Sequence, residues 1–278
     1  MTAPRLSIII PACNEEARIG DCLRSILDQG GVADGALQVV AVPNGCRDDT
    51  AGVARGFAAD FARRGWSIDV VELATGGKLA ALNAGDDRAR ASARLYLDAD
   101  IVLGPDLIAR LLTALDRPGA VYAGARLQVA PTASRVSRRY ARFWQSLPFI
   151  TRGVSGAGLF AVNAAGRARW GRFPAIIADD AFVRGQFAPS ERVLVDATYS
   201  WPISEGFGAL VRVRGRQDDG MRELARLHPE LMGNFADRPD RAEIRRLAAA
   251  DPLGFATYAG VNLATRLRRQ RGGWVRNR

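Results

Sequence analysis

Within its first 115 residues the chain repeats one pattern four times: a short apolar run, a polar turn, then a helical pattern. The runs are residues 6–10, 37–42, 68–73 and 95–97, each short and β-compatible. The first and fourth runs, apolar almost throughout, read as strands covered on both faces, as in a parallel sheet. The segments between them carry apolar residues at helical spacing, as Ile19, Leu23, Ile26 and Leu27 do after the first run. This order predicts a doubly wound α/β fold with a mostly parallel sheet flanked by helices. Such sheets take ligands at the carboxyl ends of their strands. The polar residues of this chain collect at those ends.

The fourth run stops on Asp98-Ala99-Asp100. If the backbone stays extended there, the two carboxylates share one side. Two hard oxygen ligands at a strand end suit Mg2+ or Mn2+ bound together with a diphosphate. An ordinary polar turn after a strand is the competing reading, and the other turns weigh on the choice. The first strand closes on Pro11-Ala12-Cys13-Asn14-Glu15-Glu16. There Asn14 is expected to cap the following helix, with Glu15 and Glu16 in its first turn. The second strand closes on Pro43-Asn44-Gly45-Cys46-Arg47-Asp48-Asp49-Thr50.

The third strand leads to Gly76-Gly77-Lys78 and a helix that carries Asn83. Lys78 is the only lysine among 39 basic residues, in a chain where arginine is the default. Glycines that let backbone approach a phosphate, a helix N-terminus and one full positive charge together suit an anionic ligand. The spacing is not that of a Walker A loop, and no Ser or Thr follows the lysine. A plain glycine turn before a surface helix is the alternative. Further on, Asp179 and Asp180 stand at a predicted helix start. Adjacent Asp pairs recur at 48/49, 86/87 and 218/219, so a pair alone is a weak signal. Those at 86/87 and 218/219 are expected on solvated helix surface.

With 278 residues, 48% hydrophobic and 24% charged, the chain is globular and large enough for one domain or one and a half. No apolar run reaches the ~18 residues that span a bilayer, and no signal peptide opens the chain, so a cytoplasmic protein is expected. Cys13, Cys22 and Cys46 are odd in number and match no metal-ligand spacing. They are expected as reduced, buried or half-buried thiols. The net charge of +10 fits a nucleotide diphosphate or an anionic membrane surface. Nucleic acid is not expected, because no recognition motif interleaves aromatics with the basic residues.

Beyond residue 129 the texture changes. Residues 134–147 form a basic amphipathic pattern, and 153–160 are a run of small residues able to lie flat against a ligand. Residues 206–226 are helical, with Arg212, Arg214 and Arg216 in alternation. The lone His228 is expected as a cap or surface residue. From Asp251 a mostly apolar helix ends in Arg266, Arg268, Arg269 and Arg271. It reads equally as an interfacial helix, peripheral on a membrane, or as core packing with a basic tail.

Together these motifs resemble the family 2 glycosyltransferases of the GT-A fold over about residues 6–226. The carriers are the turn from Pro11 to Glu15, the turn from Asn44 to Thr50, Gly77-Lys78 with Asn83 and Gly85, Asp98-Ala99-Asp100, and Ala178-Asp179-Asp180. The resemblance implies nucleotide-sugar contacts from Pro11, Ala12, Asn14, Glu15, Asn44, Lys78, Asn83, Asp98 and Asp179. It implies Mn2+ or Mg2+ on Asp100 with Asp98, and Asp180 as the general base of an inverting transfer to an acceptor hydroxyl. Asn44 replaces the family's usual Asp, so the nucleotide base is not fixed; in the later acidic motif Asp179 replaces the usual Glu. The implied layout is a transferase domain, 1–226, split into a nucleotide-binding half (1–129) and an acceptor half (130–226). A basic helical extension, 227–278, follows. The implied setting is polysaccharide or glycolipid synthesis. The Gln-x-x-Arg-Trp stretch of processive members is absent, Gly215-Arg216-Gln217 being only a loose echo. A sugar-phosphate nucleotidyltransferase would carry a Gly- and Arg-rich loop after its first strand, which Ala12 to Glu16 is not. A non-catalytic module of the same fold would not need Lys78, Asp98, Asp100 and Asp180 together.

Overall fold

In the computed structural model, which describes residues 3–235 and 240–271, the four runs become one half of an eight-stranded sheet, with the third run at its edge. Its strands are β1 (Leu6–Ala12), β2 (Leu37–Pro43), β3 (Ser67–Val70), β4 (Ala93–Leu97), β5 (Val102–Leu103), β6 (Tyr122–Val129), β7 (Leu159–Val162) and β8 (Arg192–Trp201). They lie in the order β3-β2-β1-β4-β7-β6-β8-β5. The run β3-β2-β1-β4 is parallel. β7 is antiparallel to both β4 and β6, and β5 is antiparallel to β8. Every residue of β1 and β2 is buried, as strands covered on both faces require.

The helices are α1 (Ile19–Leu27), α2 (Thr50–Gly56), α3 (Ala58–Arg63), α4 (Lys78–Arg88), α5 (Leu107–Leu115), α6 (Arg135–Gln145), α7 (Pro148–Thr151), α8 (Ala164–Arg167), α9 (Asp179–Gly185), α10 (Phe207–Leu227), α11 (Arg241–Ala250) and α12 (Pro252–Arg271). Asn14 does not cap α1, contrary to expectation. The helix starts four residues beyond Glu15, whose carbonyl accepts the amides of Arg18 and Ile19. Asn14 instead adopts φ +58°, a left-handed conformation that Asn tolerates better than most residues.

The expectation of solvated carboxylates also fails at Asp86, whose side chain is only 8% exposed. Gly85 explains the depth: a Cβ there would stand 2.4 Å from Ile9 Cγ2, so α4 lies directly on the sheet. Asp86 is compensated by Arg94 at 3.2 Å, Arg167 at 3.0 Å and the Tyr96 hydroxyl, which donates at 2.9 Å. Asp87 does face solvent and pairs with Arg172. Asp218 and Asp219 are only partly exposed and pair with Arg214 and Arg222.

The chain divides into two units. The first takes Met1–Gln128, Val154–Ala175 and Asp179–Trp201 and holds the sheet. The second takes Val129–Gly153, Ile176–Ala178 and Pro202–Arg278, and its elements among the described residues are mainly helices. In the helical unit Phe143 packs on Phe255 and Tyr258 with ring centroids 5.4 and 5.2 Å apart, so one side of α12 is core. Arg142 grips Asp251 through two 2.7 Å bonds at the start of that helix. The side chains of Arg269 and Arg271, read above as part of its basic end, lie outside those described. Among the described residues no helix is long and apolar enough to cross a membrane.

Candidate active site

One amide sews three strand-end turns together. Asn44, 3% exposed, donates through Nδ2 to the carbonyls of Ala12 at 2.8 Å and Val42 at 3.2 Å. Its Oδ1 accepts the Gly77 amide at 2.9 Å, and its own backbone N–H donates to Ala12. Only a side chain that both donates and accepts makes this set. Gly45 brings the turns closer still: it has φ +58°, and a Cβ there would lie 2.4 Å from the Gly76 nitrogen. Asn14 ties the first two turns through Oδ1, which accepts the Arg47 amide at 2.8 Å. The Glu15 amide donates to Thr50 Oγ1 at 2.9 Å. Pro11 and Ala12, buried at the end of β1, Asn44 and Lys78 therefore share one edge of the sheet.

Lys78 opens α4 and bridges two acidic segments. Its Nζ lies 3.0 Å from Asp98 Oδ1 and 3.2 Å from Asp179 Oδ2. Burial pulls the ammonium down, but Asp98, Asp179 and Asp180 outweigh it and hold the lysine charged well above its ordinary range. The side chain keeps 40% of its surface exposed, so a ligand can still reach the charge.

The backbone at Asp98 and Asp100 is not extended. The Asp98 carbonyl accepts the Ile101 amide at 3.2 Å in a turn, while the Asp98 amide donates to Gly158 at 2.9 Å. Strand alternation is therefore not what brings the carboxylates together; the turn does. Burial, then the charges of Asp98 and Glu15, push the Asp100 carboxyl up to about 6, with Arg18 opposing.

Among the described residues no three His, Cys, Asp or Glu side chains stand together as a complete metal cage. Asp98 already has Lys78, whereas Asp100 faces two further carboxylates. A hard dication would supply the charge this arrangement lacks. Mg2+ and Mn2+ sites commonly use one or two carboxylates and take their remaining oxygens from phosphate and water. The residues present fit a metal that arrives with a diphosphate.

Asp179 and Asp180 are the first residues of α9, as expected from the sequence. Asp180 Oδ1 accepts the Ala181 amide at 2.8 Å. Burial and then Asp179 push its carboxyl up to about 6, with Lys78 opposing. The small-residue segment borders this group: a Cβ on Gly156, at φ +75°, would lie 2.3 Å from the Tyr122 hydroxyl and 3.9 Å from Asp180 Cβ. Tyr122 is fully buried, and its hydroxyl has no hydrogen-bond partner among the described residues. Burial and the nearby Asp180 raise its pKa. The Tyr199 hydroxyl donates to the Ala157 carbonyl at 2.8 Å. Sequence reasoning missed both tyrosines. A phenol inside a strand looks like core, and only the glycines of a distant segment hint that space has been left beside it.

Some predicted residues point elsewhere. Asn83 exchanges two hydrogen bonds with the Phe173 backbone, at 2.8 and 3.3 Å, and is not part of the Lys78 cluster. His228 caps α10, with Nδ1 3.2 Å from Glu230. All three cysteines are free. Cys22 is buried and Cys46 half-buried as expected, but Cys13 is exposed because it sits on the turn beyond β1.

A parallel half-sheet with glycine turns meeting at its strand ends, continued by antiparallel strands, is the architecture of the GT-A fold. Residues 7–177 match the model of the family described as Glycosyl transferase family 2, and the chain belongs to that family. It is 36% identical over 118 residues to the 4,4'-diaponeurosporenoate glycosyltransferase of Staphylococcus aureus (strain bovine RF122 / ET3-1). That match takes in 41% of this chain and 29% of the relative, so it spans less than a third of the relative's length. The mannosyltransferase PcManGT from Pyrobaculum calidifontis, solved with GDP-Man and Mn2+, superposes with a TM-score of 0.60 at 20% identity. The superposition covers 99% of this chain and 77% of that one. TarS 1-349 from S. aureus, solved with UDP-GlcNAc, gives 0.54 at 16% identity, covering 76% of this chain and 66% of TarS. At these identities the likeness is one of fold.

Proposed function

We propose that the chain moves a sugar from a nucleotide-diphosphate donor to an acceptor hydroxyl with inversion at the anomeric carbon. The observation that carries this reading is Lys78 held between Asp98 and Asp179, beside Asp180. A diphosphate replaces part of that carboxylate neutralisation and takes the lysine charge onto its own oxygens. Asp100, with Asp98, would hold Mn2+ or Mg2+, which when bound would supply Lewis-acid stabilisation of the leaving diphosphate. Asp180 accepts the proton of the acceptor hydroxyl as its oxygen bonds to the anomeric carbon. The bond from that carbon to the diphosphate breaks on the opposite face, and its electron pair leaves with the nucleotide. A carboxyl raised to about 6 is ionised at neutral pH and is a stronger base than an ordinary aspartate.

The neighbours solved with GDP-Man and UDP-GlcNAc support a nucleotide-sugar donor without choosing the base. Asn44 serves here by holding the donor turns in register, and donation to a base from its Nδ2 would break a bond it already makes. Residues 1–129 carry the donor and 130–226 the acceptor. The S. aureus relative is named as a glycosyltransferase for 4,4'-diaponeurosporenoate; for this chain the proposed acceptor belongs to glycolipid or cell-surface synthesis and is met at the cytoplasmic face of a membrane. The test is a panel of nucleotide sugars with Mn2+, read by nucleoside diphosphate release and by the anomeric configuration of the product. Release that is lost in Asp180→Asn, with donor binding kept, supports the reading. No nucleotide binding across the panel, or a retained anomer, refutes it.

A further inference from the structure

α12 presents two faces of opposite character. Gly254, Val261 and Thr265 are buried on one face, and Tyr258 packs there against Phe143 and Tyr140. At 3.6 residues per turn, Leu253, Leu263 and Leu267 fall together on the opposite side. They are 58%, 58% and 48% exposed. Gly260 lies in the same stripe, and the Phe207 ring, 45% exposed at the start of α10, comes within 3.9 Å of its Cβ position. One exposed leucine is ordinary, but a row of them joined by a phenylalanine is a surface built for contact.

Charge selects the partner. The sequence of α12 contains no Asp or Glu, and exposed Arg266 and Arg268 flank the Leu263–Leu267 row on either side. The helix dipole favours cations at this end, yet it does not explain the exposed leucines between them. A second copy of the chain would bring the same arginines and a net charge of +10 to the contact. An anionic bilayer accepts the leucines and the arginines at once.

We infer that the Leu253, Leu263 and Leu267 face of α12, extended by Phe207, docks on an anionic membrane surface. The leucines sit at the boundary of headgroups and acyl chains, and Arg266 and Arg268 meet lipid phosphates. This rests on the membrane placement proposed above and names the surface that makes it, but it needs neither donor nor transfer.

The full chain is mixed with phosphatidylglycerol-containing vesicles or pure phosphatidylcholine vesicles, with no nucleotide or metal, and sedimented. It is expected to pellet with the anionic vesicles only, and less as salt rises. Leu263→Glu with Leu267→Glu is expected to weaken binding by about tenfold or more, with an unchanged melting transition. Leu253→Ser with Leu263→Ser, which adds no charge, is expected to weaken it in the same direction. Wild-type chain left in the supernatant at low salt, or both double variants binding as wild type does, overturns the inference. A dimer that these variants dissolve, without vesicle binding by the wild type, also overturns it in favour of self-association. Vesicle binding by a chain that cleaves no nucleotide sugar would refute the transfer reading and leave this one standing.

Discussion

Lys78 Nζ stands 3.0 Å from Asp98 Oδ1, which joins the first residue of α4 to the turn after β4. The lysine is also the positive charge that opposes the raised pKa of Asp180. Lys78→Ala therefore leaves Asp98, Asp179 and Asp180 facing one another without it. Expected are weaker nucleotide diphosphate binding and an acid limb of the rate profile displaced to higher pH. Lys78→Arg should keep the limb near its original place while binding donor less well, because a planar fork does not occupy the position of an ammonium. Titration calorimetry and pH–rate profiles separate the two effects. Equal limbs in wild type and Lys78→Ala would show that the lysine does not act on the base.

Asp180 links activity and stability with opposite signs. Its folded carboxyl is raised from 3.8 to about 6. The folded state thus holds a proton that the unfolded chain gives up, and this contribution to stability is lost as pH rises from about 4 to about 6. Asp180→Asn removes the ionisation, while its carbonyl still accepts the Ala181 amide. The variant should melt higher than wild type at pH 8, by roughly 1–3 kcal/mol, and show little difference at pH 4. Transfer should fall by about 10²-fold or more. Thermal scans at the two pH values check the sign, and a variant active at the wild-type rate would remove Asp180 as the base.

Much of this was legible in the sequence, for physical reasons that differ by residue. β1 and β2 were readable because burial on both faces forces near-continuous apolar runs, broken only by Ser7 and Gln38, which bond each other. Lys78 was readable because it departs from the chain's arginine habit. What failed depends on contacts across long separations. Asp86 reads as helix surface until Gly85 sets α4 onto Ile9 and Arg167, 81 residues away, arrives to neutralise it. Asn14 reads as a cap until the turn at Glu15 delays the helix. The bonds that Asn44 makes to Ala12 and Gly77, 32 and 33 residues off, are likewise invisible in the sequence.

Asn44→Asp distinguishes a structural amide from a base-reading one. An aspartate of the same shape keeps the Gly77 bond but turns both donations to Ala12 and Val42 into repulsion between buried oxygens. Losing buried partners of this kind costs about 1–3 kcal/mol, and more when a charge is left behind. Urea denaturation should show a loss at or above that range at pH 7, smaller at pH 4 where the carboxyl is protonated. Unchanged stability with a switched nucleotide preference would mean that Asn44 reads the base.

Tyr122 and Gly156 form the most local test. Tyr122→Phe deletes a fully buried hydroxyl that lacks a hydrogen-bond partner among the described residues, so it should be neutral or stabilising by up to about 1–3 kcal/mol. Gly156→Ala should destabilise for two separable reasons. Its φ of +75° strains an L side chain by about 1–2 kcal/mol, and its Cβ would meet the Tyr122 hydroxyl at 2.3 Å. The ring carbon behind that hydroxyl is 3.6 Å away, an ordinary contact. Phenylalanine at 122 therefore removes the clash and leaves the backbone strain. The double variant should recover part of the stability lost by Gly156→Ala, a coupling that a double-mutant cycle in urea measures directly. Strict additivity would show that the two residues do not touch. A destabilised Tyr122→Phe would show that the phenol has found a partner in solution, with the Asp180 carboxylate, whose charge already acts on it, the acceptor to examine by its pH–rate profile.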